Sequence, residues 1–371
     1  MNCIERYQAE GTASKVNAFK IKQKLPYEQK VILAELRAKE FYRTITNQGH
    51  NVHVSVGGLD SITLLLFLRS IGLDVPAVSV SSLEDKSIQR VHKALGVIPL
   101  KPLKSKVEVI QEFGFPVLSK EIAGKIDLMQ RPSPKNATVR HAIITGETGE
   151  YGGNRTGTRM KMSQKWLELF GGYENENEGV NYQIAPFKVS DKCCYYLKEK
   201  PCDNYAREND SYPYLGLMAS EGGRRQKALM MNGCNYYGKT TTRSCPFAIF
   251  DRQDLLQLAL DLSVPVPEIY GEIVRDPDGS LRTTKAQRTG CSMCGFGIHL
   301  EKRPHRFDRL REENPKEWEF WMKYCCTDPL SGEKYGWGRV LDYIGVGWAD
   351  FLLDPNQLTF DQLAEMEDDD E

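Results

Sequence analysis

Residues 52–69 read VHVSVGGLDSITLLLFLR, and this stretch decides the fold that the rest of the chain completes. The apolar run that ends at Ser55 predicts a strand, the next six residues (VGGLDS) predict a tight turn, and the apolar run after them predicts a buried helix. Gly57 and Gly58 let the backbone approach an anion closely, while the unpaired N–H groups of the following helix face that anion. The stretch therefore predicts a phosphate-binding loop. The alternative is an ordinary strand-to-helix turn capped by one of its polar residues.

The composition bounds the class of protein. The chain has 371 residues, enough for one large domain or two moderate ones. Its 49 Lys and Arg balance 50 Asp and Glu, so the net charge does not indicate any class of binding partner. No apolar run reaches the roughly 18 residues of a membrane span, and the opening MNCIERYQAEG lacks the apolar segment of a secretory signal. We therefore expect a soluble, cytoplasmic protein with no membrane partner. Its ten cysteines are then expected to be metal ligands or reactive thiols rather than disulfides.

Helix and strand signals alternate around the glycine loop. The further predicted elements are a helix over 27–47, strands over 77–80 and 97–103, a helix over 85–95 ended by Gly96, and a helix over 254–262. Such alternation predicts an α/β fold with a doubly wound, mostly parallel sheet. Ligands of such sheets bind at the carboxyl ends of the strands, where the glycine loop is expected to lie.

Composition shifts set the predicted domain boundaries. Residues 1–26 are polar without a clear period and predict an extended or partly ordered arm, and residues 27–262 predict the α/β domain. Within that domain, residues 131–165 predict a long irregular loop rich in Arg and Lys, as in a functional or a merely solvated segment. Residues 263–350 predict a smaller, irregular or helical C-terminal region, and residues 351–371 predict a solvated acidic tail.

Four cysteines fall into a pattern typical of a metal centre. Cys193 and Cys194 are adjacent, Cys291 and Cys294 form a CxxC turn, and together they supply the four thiolates that a cubane iron–sulfur cluster needs. Basic residues such as Lys198 would offset the negative charge of that cluster. A zinc site, or cysteines that are merely buried, stays open because other sets of four thiols can be drawn. The further cysteines considered are Cys202, Cys234, Cys245, Cys325 and Cys326.

Several segments resemble known families. Residues 57–61 (GGLDS) resemble the S-G-G-x-D-S pyrophosphate loop of the adenine-nucleotide alpha-hydrolase superfamily. The segment CCYYLKEKP, which begins at Cys193, and RTGCSMC, which ends at Cys294, resemble the CC…CxxC signature of the phosphoadenosine phosphosulfate (PAPS) reductase family. Residues 215–225 (LGLMASEGGRR) and 244–256 (SCPFAIFDRQDLL) are similar to two further segments of that family, in the same order. The end of the chain looks like cluster-bearing members from phages and mobile elements.

The resemblance implies a function and the residues for it. It implies a [4Fe-4S] cluster on the four cysteines, and ATP or another adenine nucleotide with Mg²⁺ on the glycine loop. The nucleotide-binding residues that it implies are Ser55, Gly57, Gly58, Asp60, Ser61, Glu221, Arg224 and Arg225, of which Asp60 and Arg225 are also implied to be catalytic. We expect ATP activation with release of pyrophosphate to drive sulfur transfer. A nucleic acid is one candidate acceptor, and a sulfur- or electron-donating protein is one candidate partner.

Two alternative functions stay open. A sulfonucleotide reductase acting on PAPS or adenylyl sulfate would release sulfite, and it needs a thiolate nucleophile. The chain lacks the Glu-Cys-Gly-x-His motif that supplies this thiolate in assimilatory reductases, so Cys325 or Cys326 would have to serve. A cluster-bearing, nucleotide-binding subunit without catalysis of its own would instead serve a nucleic-acid-modifying complex. The residues that depart from the family pattern and favour this third function are Val56, Leu59, Met218 and Gly222.

Overall fold

The structure is a computed structural model that describes residues 3–174, 182–291 and 293–349. The side chains of residues 3–12 and of Arg224 lie outside this description, and so does the predicted acidic tail over 351–371. The chain divides into two compact units, and each unit consists of two segments that are separated in sequence. Unit 1 comprises Met1–Lys104 and Cys194–Ser292, and unit 2 comprises Ser105–Cys193 and Met293–Glu371.

The described residues form helices and strands in alternation. The α-helices are α1 (Cys3–Gln23), α2 (Tyr27–Thr46), α3 (Leu59–Ser70), α4 (Lys86–Ala94), α5 (Lys106–Phe113), α6 (Lys120–Met129), α7 (Ala137–Thr145), α8 (Gln164–Phe170), α9 (Lys192–Cys194), α10 (Lys200–Glu208), α11 (Gly223–Asn232), α12 (Arg252–Asp261), α13 (Arg306–Glu313), α14 (Pro315–Glu319) and α15 (Trp337–Ile344). The strands are β1 (Asn51–Ser55), β2 (Ala77–Ser79), β3 (Ile98–Pro99), β4 (Val117–Leu118), β5 (Ser211–Leu215), β6 (Asn235–Tyr237), β7 (Thr242–Ser244), β8 (Ile273–Arg275), β9 (Leu281–Thr283), β10 (Gly295–Phe296), β11 (Cys326–Thr327) and β12 (Lys334–Tyr335). Two π-helical segments, Tyr195–Glu199 and Phe320–Tyr324, precede α10 and β11.

Unit 1 is built on a six-stranded sheet in the order β3-β2-β1-β5-β7-β6. Every neighbouring pair is parallel except β6 and β7, which are antiparallel. The sheet therefore confirms the predicted α/β class and mostly parallel pairing. After β1 the chain builds outward through β2 and β3, and it later returns to the opposite side of β1 as β5. The direction of building thus reverses between β1 and β5, which places the topological switch point at their carboxyl ends.

The core of unit 1 forms where helices cover this sheet. Helix α2 buries Ala34, Ala38, Phe41 and Ile45, which recur at helical spacing. Helix α3 is mostly apolar and buries seven of its twelve residues. Strand β1 lies in the middle of the sheet and buries residues 52–54. Because α3 starts directly after this buried strand, the intervening glycine loop is held at both ends by packed structure.

Local signals predicted several elements correctly. The expected helix over 27–47 is α2, the expected helix over 85–95 is α4, and the helix expected near residues 254–262 is α12. Each of the last two begins at an aspartate that caps it, since the carboxylates of Asp85 and Asp251 accept hydrogen bonds from backbone N–H groups of the first turn. The third strand is shorter than expected, because only β3 is paired within residues 97–103.

Two segments predicted to be irregular contain helices. Residues 1–26 were expected to form an arm, but most of them form α1, which packs against α11 within unit 1. The apolar period that identifies helices is weak in α1, because Phe19 is its one buried apolar side chain among the described residues. The predicted loop over 131–165 contains α7, whose Arg140 is buried and donates a hydrogen bond to the Tyr173 carbonyl. Because an arginine occupies a buried position of α7, the sequence of this helix lacks a clear apolar period.

Unit 2 has a separate apolar core and little sheet. Strands β4 and β10 form a parallel pair, and β11 and β12 form an antiparallel pair. Its core is rich in aromatic rings: Phe115 packs edge-on against Trp337 with ring centroids 5.0 Å apart, and Phe307 contacts the same indole. The compact units divide the chain at positions other than the predicted boundaries at residues 26, 262 and 350. Those boundaries separate regions of different predicted function, and they stay predictions. None of the described helices is both long and apolar enough to span a bilayer.

Candidate functional site

A cavity of about 410 Å³ in unit 1 lies at the carboxyl ends of β1 and β5. The glycine loop after β1 and residues 215–217 at the end of β5 form its floor, so the cavity is at the topological switch point of the sheet. Gly216 permits this arrangement, because a Cβ atom there would lie 3.0 Å from main-chain atoms of Asp60 and Ser61. The predicted loop therefore opens into a cavity large enough for a small ligand.

Some N–H and C=O groups of the glycine loop form hydrogen bonds within the loop, and other N–H groups stay available to a ligand. Ser61 Oγ accepts the N–H of Gly57 at 2.7 Å and donates to the Gly58 carbonyl at 3.0 Å. Gly58 is the N-cap of α3 and has no side chain that could cap the helix. The alternative, a turn capped by Asp60 or Ser61, is therefore wrong. Within the described residues, the N–H groups of Gly58 and Asp60 have no acceptor, as an anion-binding helix start requires.

Three carboxylates and three cations line the cavity. Glu84 accepts a hydrogen bond from Lys198 at 2.6 Å, and Glu221 forms an ion pair with Arg225 at 2.7 Å. The guanidinium of Arg288 lies 3.9 Å from Glu221, and its side chain is 68% exposed. Since that separation is long and the side chain is mostly in solvent, Arg288 can turn toward a ligand at little cost.

Asp60 is held by an arginine from a distant part of the sequence. Arg252, the first residue of α12, donates to Asp60 Oδ1 at 2.8 Å and to the Gln287 carbonyl at 3.1 Å. Burial raises the pKa of Asp60, and the charge of Glu221 adds to this rise, while Arg252 opposes it. An added cation would act on Asp60 in the same direction as Arg252, because positive charge favours the ionised carboxylate.

A buried histidine orients the first glycine of the loop. His92 on α4 lies 2.8 Å from the Gly57 carbonyl through Nε2 and 2.9 Å from Ser81 Oγ through Nδ1. Because a carbonyl can only accept, Nε2 must carry the proton, and the neutral ring then accepts from Ser81 at Nδ1. Burial lowers the pKa of His92, which keeps the ring neutral. The Gly57 carbonyl is thereby held toward His92.

Lys198 lines the cavity and lies close enough to one of the predicted metal ligands to interact with it electrostatically. Besides its hydrogen bond to Glu84, its positive charge is stabilised by the side chain of Cys291. Burial lowers the pKa of Lys198, but Cys291 and Glu84 together raise it above its ordinary value, so the side chain stays charged. A lysine ammonium group near a metal-binding sulfur would offset the negative charge of the metal centre, so Lys198 fits a metal ligand at Cys291.

The four predicted cluster cysteines are distributed over both units. Cys194 and Cys291 belong to unit 1, and Cys193 and Cys294 belong to unit 2. All four are thiols rather than halves of disulfides. Across the part of the chain that the structure describes, no three His, Cys, Asp or Glu side chains form a ready group of metal ligands. The cluster stays a prediction.

The cavity brings together most of the predicted nucleotide-binding residues. Those that line it are Ser55, Gly57, Gly58, Asp60, Ser61, Glu221 and Arg225. Arg224 lies at the start of α11, but its side chain is outside the described residues. Sequence reasoning did not select Glu84, Tyr270, Gln287 or Thr289, which also line the cavity. Only Thr289 had a sequence signal, because it falls within the quoted RTGCSMC segment.

The comparisons with known proteins add no family assignment. No protein-family model matches this chain, and no curated protein matches it either.

Proposed function

We propose that this chain binds the phosphate groups of an adenine nucleotide, ATP with Mg²⁺, on the glycine loop and uses pyrophosphate release to drive sulfur transfer. The observation that carries the proposal is the pair of available N–H groups, of Gly58 and Asp60, in a cavity that three cations and three carboxylates line at the switch point of a mostly parallel sheet. The PAPS reductase resemblance and an adenine-nucleotide alpha-hydrolase-like fold belong to this proposal, as does a cytoplasmic location.

The residues around the cavity take distinct parts in the proposed reaction. Gly57, Gly58 and Ser61 shape the loop that would receive the phosphates, and Asp60 would help to hold the Mg²⁺, which would neutralise phosphate charge. Arg225 and Arg288 would also neutralise charge on the phosphates, because both line the cavity. Phosphoryl and nucleotidyl transfer demand mainly positioning and charge neutralisation from a protein, and this set of side chains supplies both.

A [4Fe-4S] cluster on Cys193, Cys194, Cys291 and Cys294 is the second part of the proposal. Such a cluster supplies electrons or a coordination position for sulfur when it is bound. Lys198 supports this assignment, because its positive charge interacts with Cys291 and would offset the charge of a thiolate-bound cluster. Arg224 and Glu221 stay in the nucleotide-binding set. A nucleic-acid acceptor and a donor protein for sulfur or electrons complete the proposal.

One observation in unit 2 favours the reductase as a second candidate. The sulfurs of Cys325 and Cys326 lie 4.0 Å apart, and the Cys325 thiol donates to Cys326. This hydrogen bond lowers the pKa of Cys326, and the charge of Lys334 lowers it further, although burial opposes both. A thiol with a lowered pKa is the nucleophile that reduction of PAPS or adenylyl sulfate requires.

An anaerobic assay of the iron-loaded protein tests these functions together. One reaction receives Mg·ATP and the other PAPS, and pyrophosphate and sulfite are measured in both. Pyrophosphate from ATP that is lost in Asp60→Asn, but kept in the exposed control Asp74→Asn, supports the proposed activation. Sulfite from PAPS that is lost in Cys326→Ser establishes the reductase instead. Neither product, with the cluster intact, overturns both and favours the non-catalytic subunit.

A further inference from the structure

The hydroxyl group of Tyr270 lies directly on the glycine loop. It accepts the N–H of Leu59, the first residue of α3, at 3.1 Å, and it lies 2.8 Å from Thr289 Oγ1. A Cβ atom built on Gly58 would be only 2.3 Å from this hydroxyl. Tyr270 is 3% exposed, so its side chain is almost entirely shielded from solvent. The space that glycine leaves open at this point of the loop is therefore filled by a hydroxyl oxygen.

That oxygen occupies a position suited to an anion. The N–H of Leu59 lies in the first turn of α3, between the available N–H groups of Gly58 and Asp60 along the chain. N–H groups of a first helical turn attract negatively charged oxygens, both by hydrogen bonding and through the helix dipole. A neutral hydroxyl satisfies the same donor more weakly than a charged oxygen does. A phosphate oxygen is therefore expected to replace the hydroxyl at Leu59.

Tyr270 is tied to the segment that leads to Cys291. Its carbonyl accepts the N–H of Lys285 at 3.1 Å, and the neighbouring Ile269 carbonyl accepts the N–H of Ala286 at 3.1 Å. Thr289, the hydroxyl partner of Tyr270, is two residues before Cys291. The Tyr270 hydroxyl therefore contacts this segment at Thr289, while two main-chain hydrogen bonds connect the backbone of Ile269 and Tyr270 with residues 285–286.

We propose that the Tyr270 hydroxyl stands in for a phosphate oxygen on the glycine loop, and that a phosphate-bearing ligand displaces it and changes the exposure of Cys291 through Thr289. This inference rests on the proposed function, because it assumes that the loop receives phosphate. It makes Tyr270 and Thr289 positioning residues that connect occupancy of the loop to a predicted metal ligand.

The test compares four full-length proteins, purified without oxygen: the wild type, Tyr270→Phe, Thr289→Val and the control Tyr214→Phe. Tyr214 is an equally buried tyrosine of unit 1 whose hydroxyl donates to the Ala38 carbonyl, away from the loop. Binding of Mg·ATP and of Mg²⁺ with inorganic pyrophosphate is measured by calorimetry. The rate of Cys291 alkylation by iodoacetamide is measured by peptide mass mapping, with and without each ligand.

We expect Tyr270→Phe to bind pyrophosphate about fivefold more tightly than the wild type, which is the net worth of one hydrogen bond. Ligand changes the Cys291 alkylation rate in the wild type and in Tyr214→Phe. Thr289→Val binds ligand but loses this response. Thr289→Val also keeps the test decisive if Tyr270→Phe fails to fold.

The possible failures are distinguishable. Absence of binding in all four proteins overturns the proposed function, and the inference falls with it. Binding that Tyr270→Phe weakens or leaves unchanged overturns the inference alone, because the hydroxyl would then assist the ligand or be irrelevant to it. A Cys291 response that persists in Thr289→Val overturns the connection through Thr289.

Discussion

Replacing Gly58 by alanine should destabilise the protein through a single atomic contact. The added Cβ would lie 2.3 Å from Tyr270 Oη and 3.2 Å from Thr289 Oγ1. The backbone of Gly58 has φ −81° and ψ −166°, which alanine can adopt, so backbone strain contributes little. The hydroxyl must instead retreat by about 1 Å to an ordinary contact distance, within a packed surrounding.

The magnitude follows from two costs. Forcing an atom into a packed site costs about 1–3 kcal/mol. Moving the hydroxyl also weakens its hydrogen bonds with Leu59 and Thr289, each worth about 1 kcal/mol net. We therefore expect Gly58→Ala to lower the free energy of unfolding by about 3–5 kcal/mol. Gly57→Ala is the matched control, because its Cβ would meet only Glu84 and Ser61 oxygens at 3.6 and 3.9 Å.

A double-mutant cycle with Tyr270→Phe isolates the contact. Without the hydroxyl, the nearest atom of that ring to the Gly58 Cβ is Cζ at 3.6 Å, an ordinary contact. Gly58→Ala should then cost only about 1 kcal/mol, the usual loss for alanine at an N-cap, which cancels in the cycle. Urea unfolding followed by circular dichroism measures all four free energies. An equal cost of Gly58→Ala in both backgrounds would refute the reasoning, as would a Gly57→Ala variant that is just as unstable.

Three further predictions concern stability, measured by urea unfolding. Burial lowers the pKa of His53 from 6.5 to about 4, so between these pH values the unfolded chain binds a proton that the folded chain does not. The free energy of unfolding should therefore fall by about 3 kcal/mol as the pH drops from 6.5 to 4. His53→Gln should abolish this pH dependence. Lys30→Met leaves the buried Asp254, now 2.7 Å from the ammonium group, unpaired and should cost about 3–5 kcal/mol; a loss below about 1 kcal/mol would contradict this. Gly114 has φ +110°, and the Cβ of Gly114→Ala would lie 2.3 Å from a main-chain carbonyl carbon, so this variant should lower the free energy of unfolding by more than about 3 kcal/mol. Gly96→Ala is the control: Gly96 has φ +70° and open space around it, so the loss there should be about 1 kcal/mol.

Local chemistry in the sequence determined the elements that surround the site. The strand, the glycine loop and α3 follow from an apolar run, two glycines and a second apolar run within twenty residues. Helices α4 and α12 follow from an aspartate before an apolar period, because a carboxylate caps the first turn wherever that turn forms. These signals depend on neighbours in sequence, so no knowledge of the fold was needed to interpret them. Five of the predicted nucleotide-binding residues (Ser55, Gly57, Gly58, Asp60 and Ser61) meet in one cavity because they belong to one short stretch of the chain, whereas Glu221 and Arg225 reach it from a distant segment.

Only the tertiary structure decided which distant side chains complete that cavity. The partner of Asp60 is Arg252, and the oxygen at the start of α3 comes from Tyr270, yet both residues lie about two hundred positions away in sequence. Pairings of this kind depend on strand order and helix packing, which periodicity and capping do not encode. The same limit applies to the compact units, because each joins two separated segments. Hydrophobic burial is non-directional, so the sequence pattern marks which residues are buried while the packing of the whole chain selects their neighbours.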